Sequence, residues 1–426
     1  MNIEELYKLY LQFPSVQTDT RKLKHGDLFF ALKGPNFNGN AFAQKAIEAG
    51  AKCAIIDEKE YEVPNKTFLV KDVLKALQQL ARHHRRQLNI PFLAITGSNG
   101  KTTTKELIHA VLSTSFKVYT TEGNLNNHIG VPLTILKIKS DAEIAVIEMG
   151  ANHLKEIESY CKIAAPTHGI ITNCGKAHLE GFGSLEGVKK AKGELFDYLR
   201  QRRDGTAFVM WDYDYLQEMS KGIYNIIKYG TSEADINGRI LASDPFLKLS
   251  INDHAHHTDI NTQLVGDYNL PNVLAAIAVG REMKIGMPKI KHAIENYIPS
   301  NSRSQLIQKG SNKIILDAYN ANPSSMKAAI ENFANMEANK KVLMLGAMAE
   351  MGADSELEHQ RLIDFLKKYK WLEVVLVGKA FSPFKSEFRY FENSEEANEW
   401  FGKQQYDNTT ILVKGSRSTQ MEKVIG

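Results

Sequence analysis

Short apolar runs broken by turn residues open the chain: Asp27-Leu-Phe-Phe-Ala-Leu32, Cys53-Ala-Ile-Ile56 and Thr67-Phe-Leu-Val70, punctuated by Gly26, Gly34, Gly39 and Gly50. Runs of this length between glycines predict strands. Val73, Leu74, Leu77, Leu80 and Ala81 then recur at helical spacing, and the predicted helix ends in the basic run His83-His-Arg-Arg86. Those charges suit the negative end of a helix dipole and are expected to be solvated. Asn89-Ile-Pro91 reads as a junction. Beyond it, apolar strands at Phe92–Ile95, Ala145–Ile147 and Gly169–Thr172 alternate with helices, the pattern of a mostly parallel sheet covered on both faces. A second change comes near Ile298-Pro-Ser-Asn-Ser302. Strands are then predicted at Lys313–Leu316, Lys341–Leu345, Val374–Val377 and Thr410–Val413, with helices at Ser325–Met336 and Glu356–Tyr369 between them.

The expected architecture is therefore α/β in three domains: a small α/β domain over 1–88, a central parallel-sheet domain over 89–299, and a smaller α/β domain over 300–426. A length of 426 residues agrees at roughly 150 residues per domain. Lys and Arg number 53 against 49 Asp and Glu. A surplus that small does not suit a nucleic-acid binder. The three cysteines form no CxxC pair, so neither a disulfide framework nor a structural zinc site is expected. No apolar stretch reaches membrane-spanning length, and the acidic start lacks signal-peptide character; the expected compartment is the cytoplasm.

Thr96-Gly-Ser-Asn-Gly-Lys-Thr-Thr-Thr-Lys105 carries the strongest chemical signal. It follows a predicted strand and precedes a predicted helix, Thr104–Leu112. Gly97 and Gly100 permit a tight turn that offers N–H groups to phosphate. Lys101 supplies positive charge, and Thr102 places a hydroxyl for magnesium. Ile95 stands where the general phosphate-loop pattern has its first glycine, so this is the shorter G-x-x-G-K-T form. Glu148, just after an apolar strand, is either the magnesium-holding acid or a strand-end acid in solvent. The amide-rich Glu122–Thr134 segment, with Asn127, could hold a ligand or form a structural turn. His178 lies in a glycine-rich loop and could ligate metal. Lys189, Lys190 and Lys192, on a helix beginning near Ser184, read by themselves as a basic surface. His254-Ala-His-His257 reads as an exposed turn rather than a metal tract.

Together these segments resemble the Mur ligases, the ATP-dependent amide-forming enzymes of peptidoglycan precursor synthesis. The family's TGTNGKTT-type loop is matched by Thr96–Thr103, its metal acid by Glu148, and its N-x-x-x-x-H-L loop by Asn173–Leu179. Its A-K-x-E-x-F helix is matched by Ala191–Phe196, and its H-N-x-x-N-x-x-A-A segment by Tyr268–Ala276. Thr18-Asp-Thr-Arg-Lys22, Gly26–Gly34, His178–Ser184, Asp317–Met326 and Lys414–Ser418 resemble the branch that adds D-alanyl-D-alanine to UDP-N-acetylmuramoyl-tripeptide.

The resemblance implies a uridine-nucleotide domain, a central P-loop ATPase-like domain and a Rossmann-like C-terminal domain. It implies ATP and Mg2+ as cofactors and an acyl-phosphate intermediate; a monomer is expected because nothing in the sequence suggests an extensive self-association surface. Lys101, Glu148, His178 and Lys192 become the catalytic set, with Thr102, Glu148, His178 and a carbamylated Lys192 around the metal. ATP would meet Gly97, Ser98, Asn99, Gly100, Lys101, Thr102 and Thr103, with Asn269 and Asn272 at adenine, Asp317 at the ribose and Arg303 at the phosphates. Asn269 could alternatively cap the helix predicted over Pro271–Val279. Thr20, Arg21, Lys33 and Gly34 would meet the UDP-substrate, and Tyr319, Asn320, Asn322 and Ser416 the peptides. Three positions depart from the family pattern: Leu316 replaces the first of a pair of acids, Ala347 the acid of an L-G-D-M segment, and Tyr268 a histidine. The competing readings are a folylpolyglutamate synthetase-like ligase and a P-loop protein that binds nucleotide without catalysis.

Overall fold

The computed structural model describes residues 2–253, 256–300 and 302–426, arranged about three main sheets. The first is parallel throughout, in the order Val16–Gln17, Leu28–Phe30, Cys53–Ile56, Thr67–Leu69. Both its faces are covered, which is why its strands are apolar runs rather than alternating patterns. Phe29, Ala54 and Ile56 pack against the helix Ala43–Glu48. Leu28, Phe30 and Ile55 point the other way, toward the helices Ile3–Gln12 and Val73–Gln87.

The helix Val73–Gln87, capped by Asp72, also packs against the helices Gly130–Leu136 and Glu156–Ala164 of the central layer. Its basic end corrects the solvated-end expectation in part, since Arg86 is exposed as expected. His84 and Arg85 are buried there. Arg85 donates to the carbonyls of Ala164 (2.7 Å), Ala165 (3.1 Å) and Leu88 (2.7 Å), and its guanidinium lies 3.7 Å from the Phe92 ring centre. His84 contacts the Ile138 carbonyl at 2.7 Å, and burial lowers its pKa. The periodicity located the helix correctly, but charge alone could not reveal the neighbouring helix end it closes.

The central sheet has nine strands, with Phe92–Thr96 between Ile144–Glu148 and His168–Ile171, all three parallel. The connection after Phe92–Thr96 runs to one side of the sheet and the connection after His168–Ile171 to the other, and the crevice at such a switch point is where open α/β sheets take ligands. The far edge is an antiparallel pair, Phe246–Asp253 with His256–Val265. His254 and Ala255, half of the expected exposed turn, lie outside the described residues; His257 is exposed on the second strand.

The third sheet runs Gln305–Lys309, Asn312–Asp317, Thr410–Lys414, Lys341–Gly346, Glu373–Val377, Arg389–Phe391, parallel except for its first pair. Helices Pro323–Asn335 and Ser355–Leu366 cover one face, and Ser394–Phe401 covers the other. Both predicted helices on the first face are shifted toward the N-terminus: one starts at Pro323 behind an Asn322 cap, and the other ends at Leu366. Among the described residues, no helix is long and apolar enough to cross a membrane.

Candidate active site

The phosphate loop depends on its two glycines. Gly97 has φ 142° and Gly100 has φ 80°, both in the region L side chains avoid. A Cβ at Gly97 would come within 2.0 Å of the Thr172 hydroxyl oxygen, and one at Gly100 within 2.5 Å of Asn272 Oδ1. Lys101 opens the helix Lys101–Leu112, three residues earlier than the sequence predicted. Its ammonium donates to the carbonyls of Gly97 (2.6 Å) and Ser98 (3.2 Å), and burial lowers its pKa. Ser98 Oγ donates to the Gly175 carbonyl (2.9 Å), and the Asn99 amide donates to Asn173 Oδ1 (3.0 Å). The loop is thus stitched to the segment that leads to His178.

Glu148 ends the strand beside this loop and is 1% exposed, which removes the solvent-facing alternative. Its Oε1 accepts from Thr102 Oγ1 (3.3 Å) and Asn126 Nδ2 (2.7 Å). Its Oε2 is buried with no hydrogen-bond partner. An unpartnered carboxylate oxygen is costly to bury, and a hard cation is the partner that such an oxygen suits. Thr102 and Glu148 therefore fit magnesium.

Lys192 sits inside the helix Leu185–Arg200, which Ser184 caps. The three lysines do not form one basic face. Lys190 is exposed and Lys189 pairs with Glu186 at 2.7 Å, whereas Lys192 is 1% exposed. Its Nζ donates to the Ala151 carbonyl at 3.1 Å and lies 5.1 Å from the Phe182 ring centre. Desolvation, then the nearby Lys101 charge, pull its pKa down to about 7. Ala151 lines the cleft and Lys192 lies behind it. His178 lines the same cleft with φ 51°, and its Nδ1 pairs with a carboxylate oxygen of Glu350, from the loop after the strand Lys341–Gly346.

The cleft, about 1070 Å³, lies between the central and third sheets. Asn269 and Asn272 line it as a bonded pair: Asn272 Nδ2 donates to Asn269 Oδ1 (2.8 Å), and Asn269 Nδ2 to the Val265 carbonyl (2.9 Å). Asn269 makes no side-chain capping bond, so the capping alternative is not realised. Arg303 stacks 3.7 Å from the Tyr319 ring centre. Asp317 and Lys414, in register on neighbouring strands, form a 2.5 Å ion pair. Tyr268 hydrogen-bonds Ser304 at 3.0 Å.

Tyr319 and Asn320 also line the cleft, but Asn322 and Ser416 do not. Asn322 caps its helix and donates to Asn99 Oδ1 at 2.7 Å; Ser416 Oγ donates to the Ala347 carbonyl at 2.6 Å. Their side chains hold loops rather than face the cleft. Thr20, Arg21, Lys33 and Gly34 belong to the first-sheet region, outside the cleft lining. Arg21 pairs there with Asp19 (2.8 Å), and Lys33 with Asp57 (3.0 Å) and Glu58 (3.1 Å).

Sequence reasoning missed Asn126, Glu350 and Lys414. Asn126 lay in the amide-rich segment already singled out, whose Asn127 accepts from the amides of Ile129 (3.1 Å) and Gly130 (2.9 Å) in a structural turn. Lys414 lay in a quoted motif, and its register opposite Asp317 was the missing information. Nothing local pointed to Glu350.

Comparison with known proteins agrees with this geometry. Models of the Mur ligase family catalytic domain, the Mur ligase middle domain and the Mur ligase glutamate ligase domain match residues 12–85, 95–280 and 302–417. A UDP-N-acetylmuramoyl-tripeptide--D-alanyl-D-alanine ligase of Bacillus subtilis is 34% identical, with 100% of this chain and 96% of that protein aligned. The enzyme of the same name from Escherichia coli is 36% identical, over 99% and 95%. The MurF ligase of Thermotoga maritima in complex with ADP superposes with a TM-score of 0.87 at 26% identity, covering 97% of each chain. The chain belongs to the Mur ligase family.

Proposed function

We propose that this chain is the ATP-dependent ligase that joins D-alanyl-D-alanine to UDP-N-acetylmuramoyl-tripeptide. The observation that carries the reading is the convergence of Lys101, Thr102, Glu148 and His178 on one cleft, with Lys192 directly behind its wall. Full-length relatives of that name support the substrate pair. The reading places the enzyme in the cytoplasm as a monomer and keeps the domain limits at 88/89 and 299/300.

A carboxylate is a poor electrophile, because its charge is delocalised and oxide cannot leave. The tripeptide carboxylate first attacks the γ-phosphorus of ATP, forming an acyl phosphate and releasing ADP. The dipeptide amine then attacks the acyl carbon, loses a proton, and phosphate departs from the tetrahedral intermediate. All the oxygens meeting at the first step are anionic, so charge neutralisation dominates the barrier. Lys101 and the amides of Gly97–Thr103 hold the β- and γ-phosphates, with Arg303 beside them. Thr102, Glu148 and His178 would hold magnesium. Bound there, magnesium supplies Lewis-acid neutralisation of phosphate and carboxylate oxygens. Asn269 and Asn272 meet adenine, Asp317 the ribose, and Tyr319 and Asn320 the peptides. Thr20, Arg21, Lys33 and Gly34 hold the uridine nucleotide.

Lys192 acts as a carbamate in this scheme. Its neutral amine attacks CO2, a C–N bond forms and a proton is released, so a cation becomes an anion facing the metal site. The depressed pKa provides the neutral amine that this step requires. Lys192→Ala is expected to lower kcat by on the order of 10²–10³-fold, with partial rescue by a short carboxylic acid; near-normal turnover would remove Lys192 from the mechanism.

The direct test is ADP release with magnesium, ATP and UDP-N-acetylmuramoyl-tripeptide, with and without D-alanyl-D-alanine. Turnover dependent on both substrates is expected. ATP binding without turnover would favour a non-catalytic nucleotide-binding protein, and turnover with a folate and glutamate would favour the folylpolyglutamate-type reading.

A further inference from the structure

His178 and Glu350 are both non-glycine residues held at positive φ, 51° and 60°. Such backbone is uncommon and persists where the surrounding structure imposes it. The two residues face each other across the boundary between the central and third sheets, and their side chains are in contact, His178 Nδ1 to a Glu350 oxygen. Their segments also meet through the backbone. The Glu180 amide donates to the Glu350 carbonyl at 3.4 Å, and Gly352 approaches Glu180 so closely that an added Cβ would lie 3.3 Å from its Cα. The short helix Leu179–Phe182 thus rests against the turn Gly352–Asp354. His178 Nδ1 is buried and makes its close contact with Glu350 without the alignment of a hydrogen bond, and among the described residues it has no other polar partner.

We propose that Glu350 is a positioning residue for His178. Its carboxylate accepts the Nδ1 proton across the domain boundary and so presents the Nε2 lone pair to the cleft. An imidazole has one proton to place when neutral, and a carboxylate on Nδ1 decides where it goes. Ligating histidines elsewhere depend on a carboxylate or carbonyl on the second nitrogen for orientation and basicity. Here that partner arrives from a different sheet, so the His178 site is complete only when the third domain is docked. The arrangement also gives meaning to Ala347. The acid missing there is not replaced at its own position, which is buried beside Gly378; the acid of this loop that reaches the site is Glu350.

The inference rests on the ligase reading only in assigning His178 to the metal, and two independent measurements separate them. The first is the imidazole tautomer of His178, read by long-range 1H–15N correlation on protein labelled with 15N-histidine and assigned with His178→Gln. Wild-type protein is expected to show the Nδ1–H tautomer, and Glu350→Ala to lose it. The second is Mn2+ binding to the ADP-bound protein, read by electron spin resonance alongside turnover. Glu350→Ala is expected to weaken Mn2+ binding and lower kcat by about 10- to 100-fold, with KM for ATP little changed. Glu350→Gln, whose carbonyl still accepts from Nδ1–H, should restore most of both. Unchanged tautomer and Mn2+ affinity in folded Glu350→Ala would overturn the proposal. So would an Nε2–H tautomer in the wild type, or a Gln variant as impaired as the Ala variant. Absence of ligase turnover in the wild type would instead defeat the function reading, leaving the tautomer measurement to judge the contact.

Discussion

At the scale of single residues, the site is governed by how polar atoms are shared. Glu148 has two oxygens, and Thr102 and Asn126 both spend their hydrogen bonds on the same one. That leaves Oε2 unpartnered and fixes the carboxylate plane. Asn126→Leu keeps most of the side-chain volume and deletes the shorter bond, so the carboxylate gains rotational freedom. The magnesium concentration giving half-maximal turnover should rise about 10-fold, with kcat recovered at saturating metal; an unchanged magnesium titration would assign Asn126 to loop structure alone. Lys192 sets a pH dependence. Its folded pKa is lowered to about 7, so below that pH it is mainly ammonium and cannot add CO2, while above it the neutral amine prevails. Carbamate occupancy, read from the 13C carbonyl signal under 13CO2, should therefore rise as pH increases through about 7. Occupancy falling over that interval would contradict the assignment. Lys101, Thr102 and the glycines of the phosphate loop were legible in the sequence because each is chemically committed at a fixed spacing, whereas Lys192 and the metal role of Glu148 were settled there only through the family resemblance. Asn126 was not, since an amide in a turn-rich segment has many equivalent uses until its partner is known.

At the scale of elements, the apolar patterns located the main strands and helices, and the errors fall at helix ends. Pro323 begins a helix that was expected to begin at Ser325, because Asn322 caps it with proline in its first turn. Lys101 begins another earlier than expected, because Gly100 turns directly into it. The larger error was Arg85. A basic helix end reads as solvated when only its own helix is known, but this guanidinium terminates the helix Glu156–Ala164. It bonds the carbonyls of Ala164 and of Ala165, whose φ of 41° ends that helix, at its negative pole. Arg85→Ala would leave the buried Ala164 carbonyl and the half-buried Ala165 and Leu88 carbonyls without their donor and uncover Phe92. A loss of about 3 kcal/mol in urea unfolding is expected, and Arg85→Lys should recover only part of it because one ammonium cannot span three carbonyls. A change below about 0.5 kcal/mol would return Arg85 to the surface class that its sequence suggested.

For the whole molecule, the third sheet's domain docks on the two loops that carry the phosphate and metal groups, through specific polar contacts among others. Asn322 reaches Asn99 at 2.7 Å, Ser324 Oγ accepts from the Lys176 amide at 3.1 Å, and the Lys176 ammonium meets Glu358 at 2.8 Å. Strand patterns in the sequence could outline each layer, but not which loops of one would touch the other. Polar side-chain bonds of this kind to the two loops can break and re-form, and closing the interface would seal the acyl phosphate from water. Lys176 tests this selectively. Glu358 keeps Arg361 at 2.6 Å when Lys176 is removed, so no buried carboxylate is orphaned. Lys176→Ala should therefore alter melting temperature by less than about 2 °C. The lost bond nevertheless belongs only to the docked arrangement, and removing about 0.5–1 kcal/mol from it lowers the docked-to-open ratio roughly 2- to 5-fold. If the dipeptide binds only the docked form, its KM rises by a comparable factor while kcat at saturation is retained. A melting temperature several degrees lower with KM unchanged would show that the pair merely braces the fold. The predicted split would show that docking of the third domain is part of substrate capture.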